Sequence, residues 1–210
     1  MEPLEALRWK KDSIPDPKRS VWESRKAFVL APWEARIPCI IDQDAEGARA
    51  SHDKIETESL FQRALSGCSP TVLQDHTTLF FTDGRYEGMV GASAGAPREG
   101  VFERRHLGTT DDSTVYVAEL SGIEMALAKF VERARDPPKS SAKMVIFSDS
   151  QAAIQAVQNP KRSSSHFVLQ EIYDHVRALR SQTLTFDQIP VEIRWIPAHV
   201  GVPGNETADA

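Results

Sequence analysis

Met144-Val-Ile-Phe147-Ser148-Asp149-Ser150 opens with an unbroken apolar run and ends in a serine–acid–serine cluster. A strand without polar alternation is one buried on both faces, as in the centre of a sheet that other layers cover. Gln151 to Gln158 follows as a helix, so Asp149 stands where a central strand hands over to a helix. Upstream, Thr77-Thr-Leu-Phe-Phe-Thr82-Asp83-Gly84 repeats the pattern of a β-rich run that ends in an acid. Gly88 to Gly95 and Val101 to Leu107 read as two further strands joined by Ala-Pro-Arg-Glu-Gly, which makes a three-strand meander. Ser113 to Arg133 reads as a helix, with Leu120, Ile123, Leu127, Phe130 and Val131 on one apolar stripe. Pro137-Pro138 end it. Leu169, Ile172, Val176 and Leu179 mark another helix, and Val191, Ile193 and Trp195 alternate as a last strand. This order predicts an α/β fold: a mixed five-stranded sheet flanked by helices.

The first 75 residues have a different texture. Trp9-Lys-Lys-Asp, Pro15-Asp-Pro-Lys-Arg and Trp22-Glu-Ser-Arg-Lys mix charge, proline and tryptophan without a period. Leu30 to Ile41 reads as extended and interrupted by proline, and Glu46 to Leu65 as a weak helix. Residues 1–75 are therefore expected to be a linker-like extension, and residues 76–210 the domain. A net charge of −5 excludes a global basic field, so a nucleic-acid partner is held by local basic groups or by metal ions. The two cysteines, Cys39 and Cys68, have neither metal-ligand spacing nor a disulfide framework. With no signal-like start and no membrane-length apolar run, the chain is expected to be intracellular and monomeric, away from membranes.

Singly, the acids have ordinary explanations. Asp83 before Gly84 is a turn signal, and Asp149 is a helix cap. Glu119 and Glu124 flank the apolar stripe on opposite sides, and the period does not choose between them. A half-desolvated carboxylate there calls for a partner such as a cation. The last segment, Trp195-Ile-Pro-Ala-His199-Val-Gly-Val-Pro-Gly-Asn205-Glu206-Thr-Ala-Asp209-Ala210, is a Gly/Pro loop with one histidine, followed by a helix start that carries an acid. Acids at several element edges favour a hard divalent cation over zinc, because such ions take oxygen ligands.

Thr82-Asp83-Gly84, Ala118-Glu119-Leu120, Ser148-Asp149-Ser150-Gln151 and the His199-to-Asp209 segment, in that order, resemble a type 1 ribonuclease H domain from about Thr77 to Ala210. The wording of the last motif, with Ser113-Thr-Val-Tyr-Val-Ala-Glu119-Leu, is similar to domains that end fungal non-LTR (LINE-like) retrotransposon polyproteins. The Pro-Trp and Asp-Ala-Glu-Gly-Ala elements between Pro32 and Ala48 resemble the linker after reverse transcriptase in such polyproteins. The resemblance implies a ribonuclease H-like fold and hydrolysis of the RNA strand of an RNA–DNA hybrid. It implies two Mg²⁺ ions, or Mn²⁺ in their place, held by Asp83, Glu119, Asp149 and Asp209, with His199 assisting proton transfer or product release. Gly84, Ser150 and Gln151 would meet the nucleic acid.

Three features depart from that pattern. Arg85 stands where a small residue is usual, and either contacts phosphate or crowds the site. It also occupies the place where a related exonuclease pattern has its second acid. The loop Asn159-Pro-Lys-Arg-Ser-Ser-Ser165 is too short for a long basic protrusion. The helix that carries Asp209 stops at Ala210, so the alternative expectation is a truncated, retrotransposon-derived domain that binds nucleic acid but is catalytically weak or inactive.

Overall fold

The computed structural model describes residues 30–41, 77–86, 88–134, 143–160, 165–182 and 191–197. Its sheet has six strands: β1 (Cys39–Ile40), β2 (Thr77–Tyr86), β3 (Val90–Ala96), β4 (Val101–Gly108), β5 (Lys143–Ser148) and β6 (Val191–Trp195). The helices are α1 (Val115–Ala134), α2 (Gln151–Gln158) and α3 (His166–Gln182). The strand order is β1-β6-β5-β2-β3-β4. Strands β2, β3 and β4 form the antiparallel meander. The chain then returns through α1 so that β5 lies parallel to β2, and through α2 and α3 so that β6 lies parallel to β5. The α/β fold and the mixed sheet agree with the expectation from sequence.

Phe80, Met144 and Ile146 join α1 and α3 in one core with Leu120, Ile123 and Leu169. Residues alternate across a strand, so Phe81 and Phe147 face the other side of the sheet. There they stack with ring centroids 5.2 Å apart. The centre of the sheet is thus apolar on both faces, as the uninterrupted Met144–Phe147 run requires. Strand β6 departs from simple alternation, because Glu192 and Arg194 are buried too. They pair with each other, and Lys143 Nζ lies 3.4 Å from Glu192.

The strand count is corrected from five to six. The added strand comes from the segment Leu30–Ile41, where a two-residue strand beside a proline is too short to show a period. Its register is parallel, Cys39 opposite Ile193, and Ile193 N donates to Pro38 O at 2.9 Å. Proline suits that edge because it has no N–H to leave unpaired. Leu30 and Ile37 enter the main core, and Glu34 meets Arg177 of α3 at 2.6 Å. The expected helix over Glu46–Leu65 lies outside the described residues, as does the helix start carrying Asp209. Among the described residues no helix is long and apolar enough to cross a membrane.

Ile37 is 1% exposed, so Ile37→Ala is expected to lower unfolding free energy by roughly 2–5 kcal/mol. Denaturant titration checks this. A change within about 0.5 kcal/mol, the range of ordinary surface substitutions, would show that the segment contributes nothing to the folded unit.

Candidate active site

Parallel pairing of β2 with β5 places Thr82 opposite Ser148. Asp83 and Asp149 each follow by one residue, so two neighbouring strands deliver a carboxylate to the same sheet edge, about 4.8 Å apart by strand spacing. The Asp149 turn is held from the next strand: Trp195 Nε1 donates to Asp149 O at 3.0 Å, and Ile196 N to Ser148 O at 3.0 Å. The helix cap is Ser150, not Asp149. Its hydroxyl accepts from Ala153 N at 3.3 Å.

Asp83-Gly84 is no turn either. Strand β2 runs on to Tyr86, with Gly84 paired to Ala92. Glycine is needed here for a tertiary reason: a Cβ would stand 2.6 Å from the backbone N of Glu119 and 2.9 Å from its Cγ. Gly122, three residues along α1 and on the same face, allows the same approach. Its Cβ would meet Ser93 O at 2.9 Å and the Thr82 Cβ at 3.1 Å. The two glycines let α1 settle onto β2 and β3, and so lower Glu119 towards Asp83 and Asp149.

Carboxylate oxygens of Asp83, Glu119 and Asp149 lie within 4.8 Å of one another. Asp83 and Glu119 are buried. Burial, then the charges of Asp149 and Asp83, push the Glu119 carboxyl up to about 9, against a hydrogen bond from the Gly84 backbone. One Glu119 oxygen, Oε2, is buried without a hydrogen-bond partner among the described residues. Glu124, on the same helix and equally hidden, shows the contrast. Burial raises it, but the His175 hydrogen bond and the Arg105 guanidinium prevail and hold it below the usual carboxylate range. Arg105 lies 2.6 Å from one of its oxygens and His175 3.0 Å from the other. Glu124 therefore has its partners, Arg105 and His175, within the protein, whereas among the described residues the charged groups that act on Glu119 are the carboxylates Asp149 and Asp83. The all-oxygen set with an orphaned atom fits a hard divalent cation.

Sequence reasoning named Asp83, Glu119 and Asp149, and the structure brings all three together. The helical period alone left Glu119 and Glu124 unresolved and the resemblance chose Glu119; Gly122 and the role of Trp195 were missed. The Glu119-Leu-Ser-Gly122 spacing was a usable signal only with the strand register in hand. Ser150 and Gln151 begin α2 beside the cluster, and Gln151 Nε2 is buried without a hydrogen-bond partner. Arg85 is exposed and, two residues beyond Asp83, shares its face of β2. His199 and Asp209 lie outside the described residues.

The RNase H family model matches residues 75–210. The chain belongs to the RNase H family. A search of curated proteins finds no match. Membership makes the chain a hydrolase of the RNase H type, and divalent metals are the cofactors of that family. The carboxylate cluster lies within the matched residues of this RNase H domain.

The sign of the Glu119 shift makes metal-free stability depend on pH. The unfolded chain loses this proton near pH 4.5, whereas the folded chain keeps it to about 9. The contribution is therefore complete below pH 4.5 and is lost as pH rises towards 9. In EDTA, Glu119→Gln is expected to unfold at a higher temperature than the parent near pH 8, with the difference shrinking towards pH 5. Equal melting temperatures across that range would remove the repulsion from the account.

Proposed function

We propose that this RNase H domain cuts the RNA strand of RNA–DNA hybrids by metal-dependent hydrolysis. The observation that carries this reading is the convergence of Asp83, Glu119 and Asp149 within 4.8 Å, with Glu119 raised and one of its oxygens unpartnered. These three residues, with Asp209, are the proposed ligands of two Mg²⁺ ions, with Mn²⁺ as a substitute. Such ions supply an activated water and neutralise charge on the leaving 3′ oxygen. The chain's own residues do the positioning. Strand β2 fixes Asp83, the turn after β5 fixes Asp149, and the seated helix fixes Glu119, so the ligand geometry exists before substrate arrives.

Gly84 serves the site by admitting Glu119. Ser150 and Gln151, at the start of α2, are the proposed contacts to the hybrid; Ser150 has its hydroxyl engaged as a cap, and Gln151 offers an unpartnered amide. Discrimination of RNA from DNA rests on contacts to the 2′-hydroxyl. His199 is proposed to assist proton transfer or product release. The wording of the motifs supports an origin in a LINE-like retrotransposon polyprotein, in which the hybrid made by reverse transcription is the substrate at hand.

A labelled RNA–DNA hybrid incubated with the chain and Mg²⁺ or Mn²⁺ is expected to yield RNA fragments with 5′-phosphate and 3′-hydroxyl ends. Asp149→Asn should slow this by more than the roughly 100-fold that loss of an outer-shell partner costs a metal site. Cutting in EDTA, or equal cutting by the variant, would overturn the reading.

A further inference from the structure

The sheet register carries the site further than the three carboxylates. Across β2, β3 and β4 the rung through the cluster runs Asp83–Ser93–Arg104. The rungs on either side run Phe81–Gly95–Phe102 and Arg85–Gly91–His106. Because residues alternate across a strand, these rungs share one face, opposite the one that Ala92, Ala94 and Ala96 give to the core with α1. Strand β4 confirms the parity. Glu103 and Arg105 turn to the helix side, where Lys129 and Glu124 hold them at 3.2 and 2.6 Å. Phe102, Arg104 and His106 turn away and are exposed. The middle of each rung is glycine or serine; Ser93 and Gly95 are buried and Gly91 half-buried, so the exposed side chains of this face are Arg85, Phe102, Arg104 and His106. The Phe102 ring rests on Gly95: a Cβ there would lie 2.8 Å from its Cδ1. One side of the ring is supported by backbone while half of the residue stays in solvent.

We propose that this face is a track for a single-stranded extension of the nucleic acid bound at the carboxylate site. Phe102 stacks a base, and Arg104 and His106 meet the backbone. The proposal rests on the hybrid-cutting reading above for its starting point. An aromatic platform beside a basic groove is the arrangement that holds single strands without sequence preference, and Phe102 lies one rung from Arg104. Of the side chains on the rungs only Asp83 is acidic, so a phosphate backbone meets positive charge here although the whole chain is at −5. Two strand spacings put Arg104 about 10 Å from Asp83, about three steps of a nucleic-acid strand at a rise of ~3.4 Å. Arg104 thus shares a rung with the site residue Asp83, and an unpaired end is what exposes a base for stacking.

The test uses the full chain with Asp149→Asn, so that substrate persists. It compares binding of a blunt hybrid with the same hybrid carrying a single-stranded extension, on the DNA strand or on the RNA strand in separate arms. At least one extension should tighten binding by roughly fivefold or more, the lower end of one stacked base. Phe102→Ala should abolish that gain. Arg104→Ala should lower the salt slope for the extended substrate by roughly 0.7, one phosphate on a single strand. Both variants, made in the chain that keeps Asp149, should cut the blunt hybrid like the parent, which also reports that they fold. Equal binding of blunt and extended hybrids by the parent would overturn the track, as would a gain that survives Phe102→Ala and Arg104→Ala together. A preference for the extension that maps to Phe102, in a chain that cuts no hybrid, would uphold the track and overturn the proposed function instead.

Discussion

Everything specific to this molecule depends on three carboxylates being forced together where water is scarce. Asp83 and Asp149 come from adjacent parallel strands whose pairing fixes their separation, and Glu119 is lowered onto them by a helix that two glycines allow to sit close. Like charges within 4.8 Å in a buried setting are unfavourable, and the fold tolerates them because the sheet and core around them are over-determined. A proton on Glu119 relieves this repulsion, and a cation shared among the three, as proposed above, would relieve it in the proton's place.

The helix α1 shows how environment, rather than residue type, divides roles. Glu119 and Glu124 are both buried glutamates on the flanks of one apolar stripe. The Arg105 guanidinium from β4 pairs with Glu124 and His175 from α3 hydrogen-bonds it, so it ties the helix to two neighbours. No cationic side chain is among the groups that shift Glu119. A helical wheel contains neither fact, because both depend on which strands and helices come to lie beside each flank.

Much of the fold was legible because apolar periodicity is a local property. The continuous run Met144–Phe147 marked a central strand, and the Leu120–Val131 stripe marked the covering helix. The acids at strand ends were legible as positions, and the structure shows why the local readings of them were wrong. Asp83-Gly84 has turn chemistry, but β3 pairs straight through it, and its glycine answers to Glu119 rather than to a turn. Asp149 has cap chemistry, but Ser150 does the capping. The sixth strand escaped notice because two residues carry no period; its place depends on the β6 edge and on Ile37 finding the core. Each miss is a case in which a distant partner outweighed a short-range preference.

The central claim is that the cluster exchanges a proton for a divalent cation, and calorimetry measures that exchange directly. Mg²⁺ is titrated into the metal-free chain near neutral pH in two buffers of different ionisation enthalpy. Glu119 is raised to about 9 in the metal-free protein, and metal binding at such a ligand releases protons. The account predicts that the observed heats differ between the buffers by an amount that corresponds to release of about one proton per chain. Binding with identical heats in both buffers, or no binding at millimolar Mg²⁺, would contradict it.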